Sequence, residues 1–323
     1  TNLFMVLMLR DYWLFSGDDD TLRRHMPSLE KILKSIWALA DGDGILRSSG
    51  VTADWNFFDW SFELNGYNCN GSRESMLSSL YLIAADVFRK LADAVAYDYD
   101  REELEQRCQL TASHFEERFV DAESGLIADE FYDQENKPVR LNTQLGHALW
   151  LLTGRASEAR RQRFLATLTD DQCMMPDYYL HYFWFQAARM AGVLDVGLQR
   201  IRKYWGQCID TGSSTLYEAG IHSFGKHAMN GAGSLCHGFG TIPVEFFQSI
   251  ILGIAPVEAG FRTFTFRPEL FDLEFAQGRV PTPNGNIRVR ITRENAVIDV
   301  PNGTRAQLAD GTYLAPGHHE LSR

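Results

Sequence analysis

The hydrophobic pattern of this chain changes period once, near residue 260, and nothing else in it constrains the fold as strongly. Before that point the period is helical. Met76, Leu80, Ile83, Val87 and Leu91 fall on one face of a helix, as do Leu104, Cys108, Thr111 and Phe115. Leu141, Leu145, Ala148, Leu149 and Leu152 make a third stripe. Punctuation lies between the stripes, at "DGDG" 41–44, "CNGS" 69–72, "DAESG" 121–125 and "TGR" 153–155. The spacing predicts about nine helices, over 2–16, 20–40, 72–94, 100–119, 141–153, 157–168, 176–192, 194–208 and 241–252. Their connections are short, which favours antiparallel neighbours and a run of α-hairpins. After residue 260 the period is two. Ile287, Val289 and Ile291 alternate with Arg288 and Arg290, and Asn284-Gly285, Asn302-Gly303 and Asp310-Gly311 mark tight turns. The expected organisation is a helical domain over 1–260 and a small antiparallel β domain over 261–323.

Composition sets limits on function. A chain of 323 residues, 45% hydrophobic, can bury one large core and a satellite. Its net charge of −11 argues against a nucleic-acid partner, which demands a basic face. No apolar run reaches the roughly 18 residues of a membrane span. The five cysteines, 69, 108, 173, 208 and 236, are scattered and form no CxxC pair. They make neither a disulfide framework nor a zinc site, and they read as reduced, buried thiols. The opening "TNLFMVLMLRDYW" already lies inside an apolar pattern and lacks a basic leader. It reads as the interior of a larger protein rather than a signal peptide.

One segment fits neither period. Residues 213–240, "SSTLYEAGIHSFGKHAMNGAGSLCHGFG", hold six glycines and three histidines around one carboxylate, Glu218. Glycine at that density builds neither a buried helix nor a strand, and a long ordered loop is usually functional. A carboxylate on such a loop approaches substrate closely and suits acid/base work; the plain alternative is a solvated glutamate. Of the adjacent pair Cys236-His237, the thiol is expected to be buried. His237 is expected to hydrogen-bond a ligand hydroxyl, with a structural histidine the close rival. A second loop, "DWNFFDW" at 54–60, interleaves aromatic rings with aspartates, as a sugar subsite does. There Trp60 or Trp55 would stack on a pyranose ring and Asp59 would accept from its hydroxyls, while Phe57 or Phe58 anchors core. The aromatic helix at 178–192 reads as core, with one ring at its N-terminal end free to line a pocket.

"SGDDDTLRRHMPSLEKIL", "WNFFDW", "STLYE", "SLCHGFGTIPVEFFQSIILGIAPVEAGFRTFTFRPEL" and "GRVPTPNGNIRVRI" resemble the C-terminal two-thirds of bacterial α-L-rhamnosidases, glycoside hydrolase family 78. The resemblance is densest over 213–291. It implies an (α/α)6 toroid of six hairpins followed by a small β-sandwich. The reaction it implies is inverting hydrolysis of a terminal α-L-rhamnoside, or a related deoxy-sugar linkage, with no cofactor. The substrate would be a rhamnose-containing oligosaccharide, polysaccharide or glycoside. An inverting pair sets a general acid and a general base roughly 6.5–9.5 Å apart. The family's base, in a Thr-x-Trp-Glu segment, maps onto Glu218, with Tyr217 in place of the Trp. The family's His in a Cys-His-Gly-Trp run maps onto His237, with Phe239 where Trp is usual, and its sugar-stacking Trp maps onto Trp60. The family's general acid belongs to a segment that precedes all of these residues. Nine helices where a closed toroid needs twelve point the same way. The chain is thus expected to lack the toroid's first helices and to need an N-terminal segment of the same protein. Unpaired cysteines favour the bacterial cytoplasm over the periplasm. Two rivals remain open at this level: another α/α-toroid glycosidase or lyase, and a non-catalytic carbohydrate-binding or degenerate module.

Overall fold

The structure is a computed structural model that describes residues 2–48, 74–132, 137–220 and 234–323. It divides into two compact units. One comprises Thr1–Phe4, Pro27–Ala92 and Asp98–Ile242; the other comprises Met5–Met26, Asp93–Tyr97 and Pro243–Arg323.

The first unit is built of helices. α1 (Asn2–Ser16) and α2 (Asp19–Trp37), of which residues 5–26 belong to the second unit, open the chain, and α3 (Ser75–Val95) and α4 (Arg101–Phe119) follow. α4 shows why these residues form helices. Asp100 caps it by accepting the Glu103 amide at 2.8 Å, Glu102 and Glu103 complement the dipole in its first turn, and Leu104, Cys108, Thr111, Phe115 and Phe119 form its buried stripe. α5 (Gln144–Leu152) starts on the Thr143 cap and is buried on nearly all sides, as an inner helix must be. α6 (Glu158–Thr167) is its polar partner and buries only Phe164 and Thr167. α7 (His181–Ala191) is again aromatic and buried, and it ends on Gly192 in the left-handed region. α8 (Leu194–Arg200) continues through a π turn, Ile201–Trp205, into α9 (Gly206–Asp210). Trp150 of α5 stacks on Phe115 of α4 at 3.7 Å with the rings 6° from parallel. Arg155, just beyond α5, forks onto Asp86 of α3 at 2.7 and 2.9 Å.

Periodicity alone did not predict the hairpin β1 (Asp129–Tyr132) and β2 (Pro138–Leu141). Leu141, placed by its spacing on the stripe of a helix beginning at 141, pairs instead with Asp129 across this hairpin. The helix begins three residues later because Thr143 supplies the cap: its Oγ1 accepts the Gly146 amide at 2.9 Å.

In the second unit, the chain turns between the first two helices at Gly17, whose φ is +73°. Asp18 there accepts the Thr21 amide at 2.9 Å and so caps α2. A Cβ on Gly17 would lie 3.1 Å from the Cα of Gly260, itself at φ +69°, and Phe15 meets Phe261 edge-on at 5.0 Å. Beyond α10 (Ile242–Phe246) and a π turn, Phe247–Ile251, come eight strands: β3 (Ile254–Pro256), β4 (Thr263–Phe266), β5 (Phe275–Thr282), β6 (Gly285–Thr292), β7 (Asn295–Val300), β8 (Arg305–Gln307), β9 (Tyr313–Leu314) and β10 (Gly317–Ser322). They form two four-stranded sheets, ordered β10-β7-β6-β5 and β3-β4-β8-β9. Ile287, Val289 and Ile291 of β6 enter a core with Phe261, Phe264, Phe266 and Ile298. The strand period of two places these residues inward and Arg288 and Arg290 outward.

Candidate functional site

Two stretches flank the glycine-rich loop, and the backbone pairs them. The Glu218 amide donates to Ser234 O at 2.9 Å, and the His237 amide donates to Leu216 O at 3.0 Å. Thr215 Oγ1 adds a bond to Leu235 O at 2.6 Å. Residues 216–219 are extended enough to alternate: Tyr217 and Ala219 are buried, while Leu216 and Glu218 are half-buried. Tyr217, its hydroxyl 2.8 Å from Thr211 Oγ1, therefore anchors the segment that carries Glu218 on the opposite side. The Glu218 carboxylate accepts one backbone donor, the Ser234 amide, at 3.0 Å to Oε2. That bond orients the carboxylate and leaves it acceptor capacity for water or a hydroxyl.

His237 sits on the partner stretch. Its Nδ1 accepts the Phe239 amide at 3.1 Å and caps the short turn Gly238–Thr241. A ring nitrogen that accepts an N–H carries no proton, so the neutral ring is protonated at Nε2. That group makes no hydrogen bond to a described residue, which leaves a donor for a ligand oxygen. His237 thus combines the two roles set against each other above, cap and candidate ligand donor. Cys236 corrects an expectation: it is exposed, not buried. In the paired stretch its neighbour His237 turns back toward the turn and Phe239, and the thiol is carried outward. Cys108, Cys173 and Cys208 are buried, as expected, and unpaired.

The close approach of the two stretches depends on Gly240. A Cβ there would stand 2.5 Å from Tyr217 O and 2.8 Å from Leu216 Cβ, closer than any side chain tolerates. The Gly240 carbonyl accepts Trp205 Nε1 at 2.7 Å, and Trp205 stacks on Tyr178 at 4.4 Å. Tyr179 in turn stacks on Phe239 at 4.1 Å, with the rings 17° from parallel. The stretch before α7 thus meets the second arm of the loop.

Asp177 lies in the stretch 177–184, which the toroid reading expects to converge with 213–240, but the sequence did not single it out as a residue of the candidate site. It is 1% exposed, and its Oδ1 accepts the Tyr178 amide at 2.6 Å and the Gly220 amide at 2.8 Å. It ties the end of the Glu218 segment to the stretch before α7. The signal was local, an acid between Pro176 and an aromatic run, and nothing local says that its partner lies at residue 220. A polar cavity of about 540 Å³ opens against the same segment, lined by Arg140, Asn142, Gln144, Asp171, Met174 and Tyr204 among others. Glu218 and His237 are not among its walls. Trp55, Asp59 and Trp60 lie outside the described residues, as do His222 and His227. Among the described residues no group of acids, histidines and cysteines could hold a metal ion, and no helix is long and apolar enough to cross a membrane.

Residues 2–251 match the family model described as the bacterial alpha-L-rhamnosidase 6 hairpin glycosidase domain, and residues 253–316 match the bacterial alpha-L-rhamnosidase C-terminal domain. Among curated proteins the chain is similar to an alpha-L-rhamnosidase of Alteromonas sp. (strain LOR), 22% identical over 326 residues, covering 96% of this chain and 34% of that protein. Among solved structures it is similar to the GH78 family rhamnosidase of Bacillus sp. GL1, with a TM-score of 0.78, 21% identity, and coverage of 96% of this chain and 33% of the other. It is also similar to Streptomyces avermitilis alpha-L-rhamnosidase complexed with L-rhamnose, with a TM-score of 0.73, 16% identity, and coverage of 96% and 32%. These likenesses give the six-hairpin glycosidase fold with a small C-terminal β domain. The chain spans about a third of the length of the relatives it matches.

Proposed function

From the premise that the chain belongs to the bacterial α-L-rhamnosidase six-hairpin glycosidase family, matched over residues 2–251, we propose that it is part of an enzyme that hydrolyses terminal α-L-rhamnosides with inversion. Glu218 is the general base and activates the attacking water. The observation that carries this reading is the setting of Glu218: half-buried, with one backbone amide on Oε2 and its segment anchored on either side by Tyr217 and by the Gly220–Asp177 bond. A base needs a fixed carboxylate with acceptor capacity to spare, and one recorded donor among the described residues supports that reading. His237 Nε2–H donates to a sugar hydroxyl and helps place the ring. Trp60, Trp55 and Asp59 are assigned to the sugar subsite on the family pattern.

The general acid is assigned to polypeptide outside these 323 residues, in keeping with the chain's share of its relatives' length. The substrate is a rhamnose-bearing glycan or glycoside, as the relatives' names suggest. The test is nitrophenyl α-L-rhamnoside turnover by the full-length protein, with product stereochemistry followed by NMR. Glu218→Gln should lower kcat by about 10²–10⁴-fold with KM little changed. Turnover within a few-fold of wild type would make Glu218 a bystander and return the loop to a purely binding role.

A further inference from the structure

The outward face of the sheet β10-β7-β6-β5 carries three arginines that form no ion pair with a described residue. β6 sends Ile287, Val289 and Ile291 into the core and exposes Arg288 and Arg290. β5 exposes Arg279, Gln277 and Phe275 on the same face. The register sets Arg279 opposite Arg288 and Gln277 opposite Arg290. Two guanidinium side chains thus share one cross-strand pair, and the third lies one row further along. Like charges directly opposed destabilise a strand pair. The acids of the neighbouring strands turn toward a histidine instead. Asp299 faces Arg288 from β7, yet its Oδ1 holds His318 Nδ1 at 2.7 Å. Glu320 lies 3.6 Å from the other nitrogen of the same ring. Among the described residues, Arg279, Arg288 and Arg290 form no ion pair and no side-chain hydrogen bond.

This is an unusual site for bare cations. The chain as a whole carries −11, and acidic partners were available to the sheet and were used on a histidine. A regular sheet also fixes the spacing of the arginines, about 4.8 Å between strands and about 6.8 Å between alternate residues of one strand. Phe275 stands 54% exposed at the end of the same face. Guanidinium forks pair with carboxylate and sulfate oxygens, and a flat aromatic ring packs on the apolar face of a sugar. We infer that this face is a binding site for an anionic polysaccharide, whose carboxylate or sulfate groups are held by Arg279, Arg288 and Arg290 while a sugar ring lies against Phe275. Nucleic acid is disfavoured because three cations on a strongly acidic chain give too small a basic footprint for a phosphate backbone. The inference stands on the sheet alone and is independent of the role given to Glu218.

The test is affinity electrophoresis of the full-length protein in gels containing polygalacturonate, dextran sulfate, neutral dextran or single-stranded DNA. Retardation is expected in polygalacturonate or dextran sulfate, with the stronger of the two identifying the anion, and none in dextran. Arg279→Glu places an acid opposite Arg288. It should keep or raise Tm while weakening polyanion binding roughly ten- to hundredfold. R288Q/R290Q should weaken binding similarly without adding a new ion pair. Both variants should leave nitrophenyl rhamnoside turnover as in wild type. Equal mobility in the polyanion and dextran gels would overturn the inference, as would wild-type affinity in both variants or stronger retardation by DNA than by either polysaccharide.

Discussion

Asp129 and Glu218 are both carboxylates of the helical unit, and the structure holds them in opposite ways. Asp129 is 1% exposed. Both of its oxygens serve Ser75: Oδ1 accepts the amide at 2.6 Å and Oδ2 accepts the hydroxyl at 2.7 Å. Burial raises its pKa to about 6, and the two Ser75 bonds only partly offset that. Glu218 is half-buried and, among the described residues, accepts one backbone donor. A perturbed pKa alone would select Asp129 as the catalyst. Access selects Glu218. Asp129 satisfies the start of α3 and has no face toward solvent, so its proton can change stability but cannot reach a substrate. His147 belongs to the same buried node. Its Nε2 accepts the Ile127 amide at 3.0 Å and its Nδ1–H donates to Thr143 O at 2.7 Å. Burial lowers its pKa to about 4.

The largest expected effect separates the two carboxylates directly. In the full-length enzyme, Glu218→Gln should cost about 10²–10⁴-fold in kcat with Tm unchanged, whereas Asp129→Asn should leave kcat within a few-fold. Equal kcat losses in the two variants would erase the distinction. Next is the acid response of the buried node. His147, with its depressed folded pKa, contributes stability that is present above pH 6.5 and lost as pH falls through about 4. Asp129, with its raised folded pKa, contributes stability that is present below pH 3.8 and lost as pH rises through about 6. The two slopes oppose each other between those limits. Asp129→Asn removes one of them, so the variant should lose up to ~3 kcal/mol more than wild type on going from pH 7 to pH 4. Denaturant titrations at several pH values measure it, and parallel profiles would refute the opposition. Third, Gly240→Ala must push the Leu216–Tyr217 backbone aside and move Glu218 with it. It should lower kcat about 10- to 100-fold at nearly constant KM. The smallest effect is that of Trp205→Phe, which keeps the stacking on Tyr178 but drops the bond to Gly240 O. It should cost ~1 kcal/mol of stability in a denaturant melt.

Much of the fold was legible because helix and strand periods are local. Leu104, Cys108, Thr111 and Phe115 are all buried where their spacing put them, and the alternation of 287–291 carries over residue by residue into burial. The hairpin 129–141 was not legible, since two strands of four residues leave too little period to read. In the candidate site, the loop and its carboxylate stood out by composition. Asp177 did not, because its worth lies in a bond to Gly220 across 43 positions of chain. The exposure of Cys236 follows from the pairing of 216–218 with 234–237, which no local pattern encodes. Trp55, Asp59 and Trp60 fall outside the described residues.

The contact of Gly17 with Gly260 has a consequence in time. Residues Met5–Met26 belong to the same compact unit as Pro243–Arg323, yet a ribosome makes the former roughly 240 residues earlier, on the order of 10–50 s at ordinary elongation rates. Through that interval the apolar side chains of the first helix have no finished site to enter. Met5, Met8, Tyr12 and Phe15 remain at least 37% exposed even in the completed fold. Cooperative closure of this unit therefore waits for the strands that follow residue 253, and the loop it closes is a long one. A stop codon after residue 253 would strip residues 5–26 of their packing partner, so a truncation there registers as a folding defect more than 200 residues earlier.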